Sequence, residues 1–579
     1  MLPLTNFLRN YKARNLRQDI KAGFNVALLD FPQGMAYAMI AGLPVNFGIY
    51  SSALGSISGA LFGSSRFLML GPTNASAVLL LSGFLSLNLS DEQRIIAMPL
   101  LLLMVAAIMI LGAFLRVHTI IRYVSRSVIT GYVTAAALLI IVNQFKHSLG
   151  IITPRAPTFL ENAILLWQNL TSIDLHTAAL SLSTIAIALA TKRWLKALPN
   201  IAITLALTSA IAVGLQSQGI LFAHLPAVPI GTWPLSIPTA DFHLFDELLG
   251  VAAAIAFLSL LESASIAKNL AAQAGDRVDI KQQMISMGIA DAANAFGSGM
   301  PVSGSLTRST LNYESGAHSP VSSLTSGLIL VCGALLLGPA IGYIPKASLA
   351  SLVILVGISL IKIENIKTFI GATKSDAATF IATLLTGLLF PLDIAIYVGV
   401  IVSIILFLQK VSAPQLVEYS FNDRGELAES QRKEDDEQPA ISIMHVEGDL
   451  FFGSTDVFDA QLRELSQEPN VRLIILRLKN AHNLDASAAL AIKEFAAQAT
   501  KRKVKVLVSG AMPPVFNILK KVGIADVIGI ENIFQYTPEN VTLSTRNALK
   551  RAQEILGVSS AEILLFGKQK KGADDLPSS

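Results

Sequence analysis

GMPVSGSLTR, residues 299–308, carries the feature around which the chain is organised. A proline and a run of small residues interrupt an apolar context, and Arg308 follows directly. An earlier stretch, GPTNAS (Gly71–Ser76), repeats the arrangement of MPVSGS (Met300–Ser305): proline aligns with proline, and small polar residues come after it. Each opens an apolar segment too short to cross a bilayer, which takes roughly 20 residues as a helix.

Working outward, fourteen apolar segments appear, centred near Leu29, Ser56, Leu79, Val105, Ala136, Ile185, Thr208, Phe257, Ser286, Leu311, Ile329, Leu355, Leu384 and Val402. Seven precede the loop at 218–245, which has no Lys or Arg, and seven follow it; the third of each half is the short one. An odd number of crossings per half forces the halves into opposite orientations. Inverted repeats with interrupted helices at matching places are a membrane-transporter architecture. The basic residues alternate consistently. Arg9, Lys12, Arg14, Arg17 and Lys21, then Arg116, Arg122 and Arg126, Lys192, Arg193 and Lys196, Lys268, Arg277 and Lys281, and Lys362, Lys367 and Lys374 all fall on one side. That side is cytoplasmic by the positive-inside rule, so both termini are expected there.

Composition agrees. Hydrophobic residues make up 52% and charged residues 15% of the 579, with mean hydropathy +0.57; a soluble chain carries about a quarter charged. The net charge of +4 sits in short inter-segment loops and gives no sign of a nucleic-acid partner. Cys332 lies alone in an apolar run, so neither a disulfide nor a metal site follows. The polar, basic start lacks a signal-peptide pattern, so the first segment is expected to remain in the protein. No P-loop and no His/Cys metal spacing is present; an enzyme, a cofactor and a metal are not expected.

Past Lys410 the text changes. Glu418–Gln438 is acidic and polar, a linker or an exposed hairpin, and 440–557 alternates strand and helix signals. ISIMHVEG, VRLIILRL and KVKVLVSG read as strands, and VFDAQLREL and SAALAIKEFAAQATK as helices. This predicts a small α/β domain. The expected division is an N-terminal segment at 1–18, a membrane domain at 19–411, a linker at 412–439, the α/β domain at 440–557 and a disordered tail at 558–579.

A helix N-terminus presents unpaired N–H groups and the positive end of its dipole. Two facing each other near mid-membrane make an anion pocket: Thr73, Asn74, Ala75 and Ser76 on one side, Ser303, Gly304, Ser305, Leu306 and Thr307 on the other. Ordinary proline-broken helix starts fit the motifs equally well; Arg308 tips the reading, because an intramembrane charge marks a functional site by default. Its expected role is attraction of an anion, with pairing to Glu262 or a carbonyl as the structural alternative. Glu262 is the second intramembrane charge. A carboxyl out of water can exchange its proton near neutral pH, as proton coupling requires; the alternative is a carboxyl that only holds two helices together. Asp30, just before Pro32, has two readings, a place in the same polar centre or bonds to backbone amides freed by that proline, and the second is the expected one. Gln33 and Tyr37, one helical turn apart, are expected to face the pocket, and Asp291 and Asn294 to pack helices. Asp485 reads as a helix N-cap.

Together PQGMAYAMIAGLPVNFGIYSS (Pro32–Ser52), GPTNAS and GMPVSGSLTRSTLNYESGAHSP (Gly299–Pro320) resemble the sulfate permease family of anion transporters, and the C-terminal part resembles the STAS domain that ends most of them. The likeness runs from about Leu16 to Leu556. It implies a fourteen-helix, seven-plus-seven inverted repeat of the uracil-permease type, with segments 1–4 and 8–11 as core and 5–7 and 12–14 as gate. It further implies elevator-style movement, a homodimer held partly through the cytoplasmic domains, and an anion site at Gln33, Tyr37, Thr73, Thr307 and Arg308. Sodium-coupled bicarbonate members have Asp where Glu262 stands and Thr where Ile266 stands, so the chain is similar to the proton-coupled branch instead. Ser487 matches the phosphorylated serine of anti-sigma antagonists, although Ala486 replaces the usual polar neighbour.

The expected function is secondary active transport of a small anion, with a coupling proton, in the bilayer of a bacterial inner membrane. Sulfate, bicarbonate and a dicarboxylate suit helix dipoles plus one arginine alike. A passive channel or uniporter on the same fold would need no Glu262. A tethered signalling protein, recruiting a cytoplasmic partner through the STAS domain, would bind an anion without flux.

Overall fold

The structure, a computed structural model, describes residues 3–8, 11–117, 119, 124–154, 156–194, 200–238, 242–412, 415–421, 427–429, 440–448, 450–467, 470–481, 484–540 and 542–557. Arg9, Arg122, Lys196, most of the acidic linker and the 558–579 tail lie outside these. Two compact units divide near residue 404.

In the first unit a helix stands at each of the fourteen apolar segments. They are α1 (Ala13–Ala41), α2 (Val45–Phe62), α3 (Asn74–Ser86), α4 (Asp91–Phe114), α5 (Arg126–Ser148), α6 (Leu175–Trp194) and α7 (Asn200–Gln216). The second half gives α8 (Phe242–Ala274), α9 (Ile280–Phe296), α10 (Leu306–Glu314), α11 (Val321–Leu336), α12 (Lys346–Leu360), α13 (Lys374–Leu389) and α14 (Leu392–Val411). Among the described residues six helices are long and apolar enough to cross a membrane by length and composition alone. Others owe their place to packing: α2 is rich in serine and glycine, and lies against α1, α9 and α11. There Gly34 and Gly48 bring α1 and α2 so close that a Cβ on Gly48 would fall on the Gly34 carbonyl.

Packing separates two sets of helices. In the core, α11 lies against α1 and α2, α9 against α2 and α4, and α8 against α4; in the gate, α12 and α13 lie against α5, and α6 against α12 and α7. At 13 and 9 residues, α3 and α10 reach only about 20 and 14 Å at 1.5 Å per residue, against a hydrocarbon core of about 30 Å.

The two halves meet at a two-stranded antiparallel ribbon of β1 (Leu70–Gly71) and β2 (Ser303–Gly304), pairing Leu70 with Gly304 and Gly71 with Ser303. This register corrects the proline alignment. The twofold relation makes Gly71 equivalent to Gly304, which sets Pro72 level with Ser305, and leaves Pro301 four residues further back. Proline occurs near both helix starts, but only Pro72 directly precedes its capping residue.

The second unit is a six-stranded sheet, ordered β4 (Leu427–Glu429), β3 (Gln415–Phe421), β5 (Ile441–Glu447), β6 (Leu473–Asn480), β7 (Lys505–Ala511) and β8 (Ile533–Gln535), with β5 to β8 parallel. The acidic stretch takes its hairpin form, and β3 joins the sheet antiparallel to β5. The 412–439 segment is therefore not all linker: Leu416 packs on the domain's core. Ile474, Leu476 and Leu478 face one core with helices α15 (Thr455–Leu465), α16 (Ala486–Lys501) and α17 (Pro513–Val522); Leu473 and Ile475 face another under α18 (Leu543–Leu556). Burial on both faces explains the apolar run Leu473–Leu476 that opens β6.

Candidate functional site

Everything at the centre of the membrane unit hangs on the β1–β2 ribbon. Thr73 caps α3 with a reciprocal pair to Ser76: the Ser76 amide donates to Thr73 Oγ1 at 3.3 Å, and the Thr73 amide to Ser76 Oγ at 3.1 Å. Ser305 caps α10 by accepting from the Arg308 amide at 3.5 Å. Neither cap reaches the amides of Leu306 and Thr307, which a helix start leaves without intrahelical acceptors. The second start is braced from three sides. Asp291 Oδ1 accepts from the Val302 amide at 2.9 Å, Ser263 Oγ from the Gly304 amide at 2.7 Å, and the Met69 carbonyl from the Ser305 amide at 3.0 Å.

Glu262, on α8, stands between the two starts. Its Oε2 accepts from Ser303 Oγ at 3.0 Å and from Thr73 Oγ1 at 3.4 Å, one hydroxyl from each half of the repeat. Thr307 is exposed at the first turn of α10, whereas Thr73, Ala75, Ser76, Ser303 and Ser305 are buried. Asn74 turns its Oδ1 onto the Ala75 amide at 2.9 Å. Gln33 and Tyr37 are buried on α1, and Gln33 Oε1 has no hydrogen-bond partner among the described residues. From the gate, Tyr132 on α5 donates its hydroxyl to the Ala75 carbonyl at 3.3 Å.

Arg308 takes a backbone carbonyl, as its structural alternative had it, but its ion-pair partner is a different carboxylate from the expected one. Its guanidinium is fully buried and pairs with Asp30, Nη1 to Oδ1 at 2.5 Å, and not with Glu262. Nη2 donates to the Pro72 carbonyl at 2.6 Å, and Ser52 Oγ donates to the same Asp30 oxygen at 2.7 Å. Asp30 therefore does not serve amides freed by Pro32; it neutralises Arg308. The pair joins α1 to α10 and ties α10 to the approach of α3. A Cβ at Gly71 would strike Arg308 Nη1, so glycine is what lets the arginine pass beneath the ribbon. Sequence reasoning had the signal in hand: an intramembrane carboxylate and an intramembrane guanidinium each need a partner. Tyr132 and Ser263 carried no comparable mark.

In the second unit Asp485 caps α16, accepting from the Ala488 amide at 2.9 Å, and also takes the Phe452 amide at 2.8 Å. Ser487 is exposed in the first turn.

Residues 16–383 match the family profile described as Sulfate permease family, and residues 432–539 that of the STAS domain. The chain is 24% identical over 544 residues to "Putative sulfate transporter YvdB" of Bacillus subtilis, covering 92% of this chain and 98% of that protein. It is 26% identical over 555 residues to "Sulfate transporter 4.1, chloroplastic" of Arabidopsis thaliana, covering 92% and 81%. Its fold superposes with TM-score 0.86 on murine Solute Carrier 26 family member A9, an anion transporter in the inward-facing state, at 20% identity and 96% and 94% coverage. A membrane domain profile over most of the chain followed by a STAS domain, on a transporter fold and without an enzyme among these relatives, settles the assignment: the chain belongs to the sulfate permease family of anion transporters.

Proposed function

We propose that this protein takes up a small oxyanion together with a proton, sulfate being the first to test because the curated relatives are named sulfate transporters. The carrying observation is the position of Glu262, whose Oε2 draws one hydroxyl from each helix start. As a carboxylate it repels an anion and occupies the hydroxyls of Thr73 and Ser303. Once protonated it loses the repulsion and frees both hydroxyls to turn toward the anion. The anion then lies between Thr73–Ser76 and Ser303–Thr307, held by α-helical N–H groups, with Gln33 and Tyr37 lining the site.

Arg308 contributes little net field, because Asp30 cancels its charge at contact distance; its work is to hold α1, the ribbon and α10 together. Sodium coupling is disfavoured by Ile266, which supplies no oxygen one turn beyond Glu262. Carriage by elevator movement of core against gate follows from the way the site rides on core helices. In this reading the protein is a homodimer in the inner membrane of a bacterium, both termini are cytoplasmic, and the STAS domain meets a cytoplasmic partner through the face that carries Ser487.

The test is counterflow in proteoliposomes. Wild-type protein exchanges labelled sulfate for internal sulfate, while Ser303→Ala and Thr73→Val raise the half-saturating concentration roughly tenfold each, the loss expected for a hydrogen bond to a charged group. Unchanged affinity in both variants places the site elsewhere.

A further inference from the structure

The buried carboxyls of the core differ in what satisfies them. Asp19 accepts from the His318 and Ser319 amides and from the hydroxyls of Ser319 and Tyr11. Asp30 has the Arg308 guanidinium and the Ser52 hydroxyl. Glu262 is only partly buried and takes two hydroxyls. Asp291, on α9, has far less. It is 0% exposed; Oδ1 accepts from the Val302 amide at 2.9 Å, and Oδ2 has no hydrogen-bond partner among the described residues. One helical turn on, on the same face, Asn294 Oδ1 is buried without a donor as well, its Nδ2 being spent on the Ala290 carbonyl at 2.8 Å.

Among the described residues no cation pairs with it. α9 packs on α4 and α2. α2 carries no charged residue, and its Tyr50 hydroxyl donates to the Thr232 carbonyl at 3.3 Å. The charges of α4, Asp91, Glu92 and Arg94, all lie at its start. Gly288 packs on Ala106 and Ile110, which sets Asp291 opposite the middle of that helix. On α9 itself, Lys281 sits in the first turn over the Phe114 ring, about three turns from Asp291. α8 brings Glu262, an acid, and Lys268, which is exposed; Arg308 on α10 is paired with Asp30. An ionised carboxylate only accepts, at about four sites, and one buried without partners is among the costliest of groups. A proton on Oδ2 removes the charge and turns an unmatched acceptor into a donor, with a second unmatched acceptor one turn away.

We propose that Asp291 holds a resident proton, distinct from the one that Glu262 exchanges, and that as a neutral acid it is a positioning residue for the start of α10. Val302, which it holds, precedes Ser303, whose hydroxyl meets Glu262, and Gly304, whose amide meets Ser263. Oδ1 thus fixes one end of the strand that carries half of the anion site. A carboxylate here would add a negative charge behind that strand and oppose the anion; a neutral acid gives the same grip without the repulsion. Full enclosure separates Asp291 from Glu262, which is partly open and can exchange its proton. The inference rests on the anion site proposed between α3 and α10.

The experiment uses full-length protein and the variants Asp291→Asn and Asp291→Ala, with melting temperature as the check on folding. Infrared spectra of protein carrying isotope-labelled aspartate read the C=O stretch of a protonated carboxyl directly, without transport. That band should persist at pH about 8, where an ordinary aspartate is ionised, and should vanish in Asp291→Asn. In sulfate counterflow, Asp291→Ala should raise the half-saturating concentration about fivefold, the loss of one neutral hydrogen bond. Asp291→Asn keeps an oxygen for Val302 and a donor in place of the acid O–H, so it should restore wild-type affinity with the wild-type pH profile. Should Asp291→Ala not fold, the band and Asp291→Asn decide. A missing band overturns the proposal, as does unaltered affinity in a folded Asp291→Ala. So does an Asp291→Asn chain that fails to fold, binds as weakly as Asp291→Ala or changes the pH profile. Transport without any proton dependence would remove the Glu262 reading, while the infrared band would still decide for or against the resident proton.

Discussion

Asp30 and Arg308 show what a buried pair costs and what it does. Removing one partner of a buried ion pair typically costs about 3–5 kcal/mol, because the other is left charged and unpaired. Asp30→Ala should therefore destabilise the membrane unit by roughly that amount, read as lost melting temperature and yield in detergent. Asp30→Asn with Arg308→Gln, which removes both charges, should recover much of the stability. If the single and double variants melt alike, the pair is not coupled as the geometry implies. Gly71→Ala acts on the same arginine from the other side, since the added methyl meets Nη1, and should mimic Asp30→Ala in stability.

At the level of elements, the β1–β2 ribbon decides how the helix starts face each other. The Gly304 amide rests on Ser263 Oγ, so Ser263→Ala strands a buried N–H at a cost of about 1–3 kcal/mol. The expected outcome is weaker sulfate affinity with the rest of the fold intact, checked by binding and by melting; unaltered affinity would mean that the ribbon's position is set without Ser263. In the soluble unit, β5 and β6 share a buried polar group around His445. Asn480 Nδ2 lies 3.0 Å from its Nε2, and Arg477 Nη1 lies 3.5 Å from its Nδ1. Burial first, then the Arg477 charge, lowers the imidazole pKa. The unfolded state thus binds the proton more readily, and stability is lost as pH falls from the ordinary histidine range of about 6.5 through the lower folded value. Hydrogen exchange on the full chain should show β5 and β6 amides less protected at pH near 5.5 than near 7.5, after correction for intrinsic rates. The difference should shrink in His445→Gln, and equal protection at both pH values would count against the burial argument.

Across the whole molecule, the proposed movement must break what joins core to gate beside the site. Among the described residues three hydrogen bonds do so on α3: Tyr132 to the Ala75 carbonyl, the Leu392 amide to Ser82 Oγ at 2.9 Å, and Ser82 Oγ to the Pro157 carbonyl at 3.4 Å. Tyr132→Phe removes one worth about 1 kcal/mol, so the maximal rate should change by about fivefold while half-saturation holds. A change in affinity alone would make Tyr132 a ligand and not a latch. Much of this architecture was legible in the chain, because membrane helices announce themselves by length and hydropathy and because the two short ones sat at matching places. The register at the ribbon was not. Proline and small residues recur at helix starts, so text alignment put Pro301 opposite Pro72, and only the antiparallel pairing moved it. The partner of Arg308 was equally hidden. Asp30 lies 278 residues away in sequence, and Glu262 was the nearer carboxylate.

The central claim is that Glu262 carries the coupling proton between the two helix starts. Its most direct measurement is labelled sulfate uptake into proteoliposomes with an inward proton gradient, for wild type and Glu262→Gln, beside counterflow without a gradient. Accumulation above equilibrium is expected in wild type, and in Glu262→Gln no accumulation but surviving counterflow. Gradient-driven accumulation that persists in Glu262→Gln would contradict it.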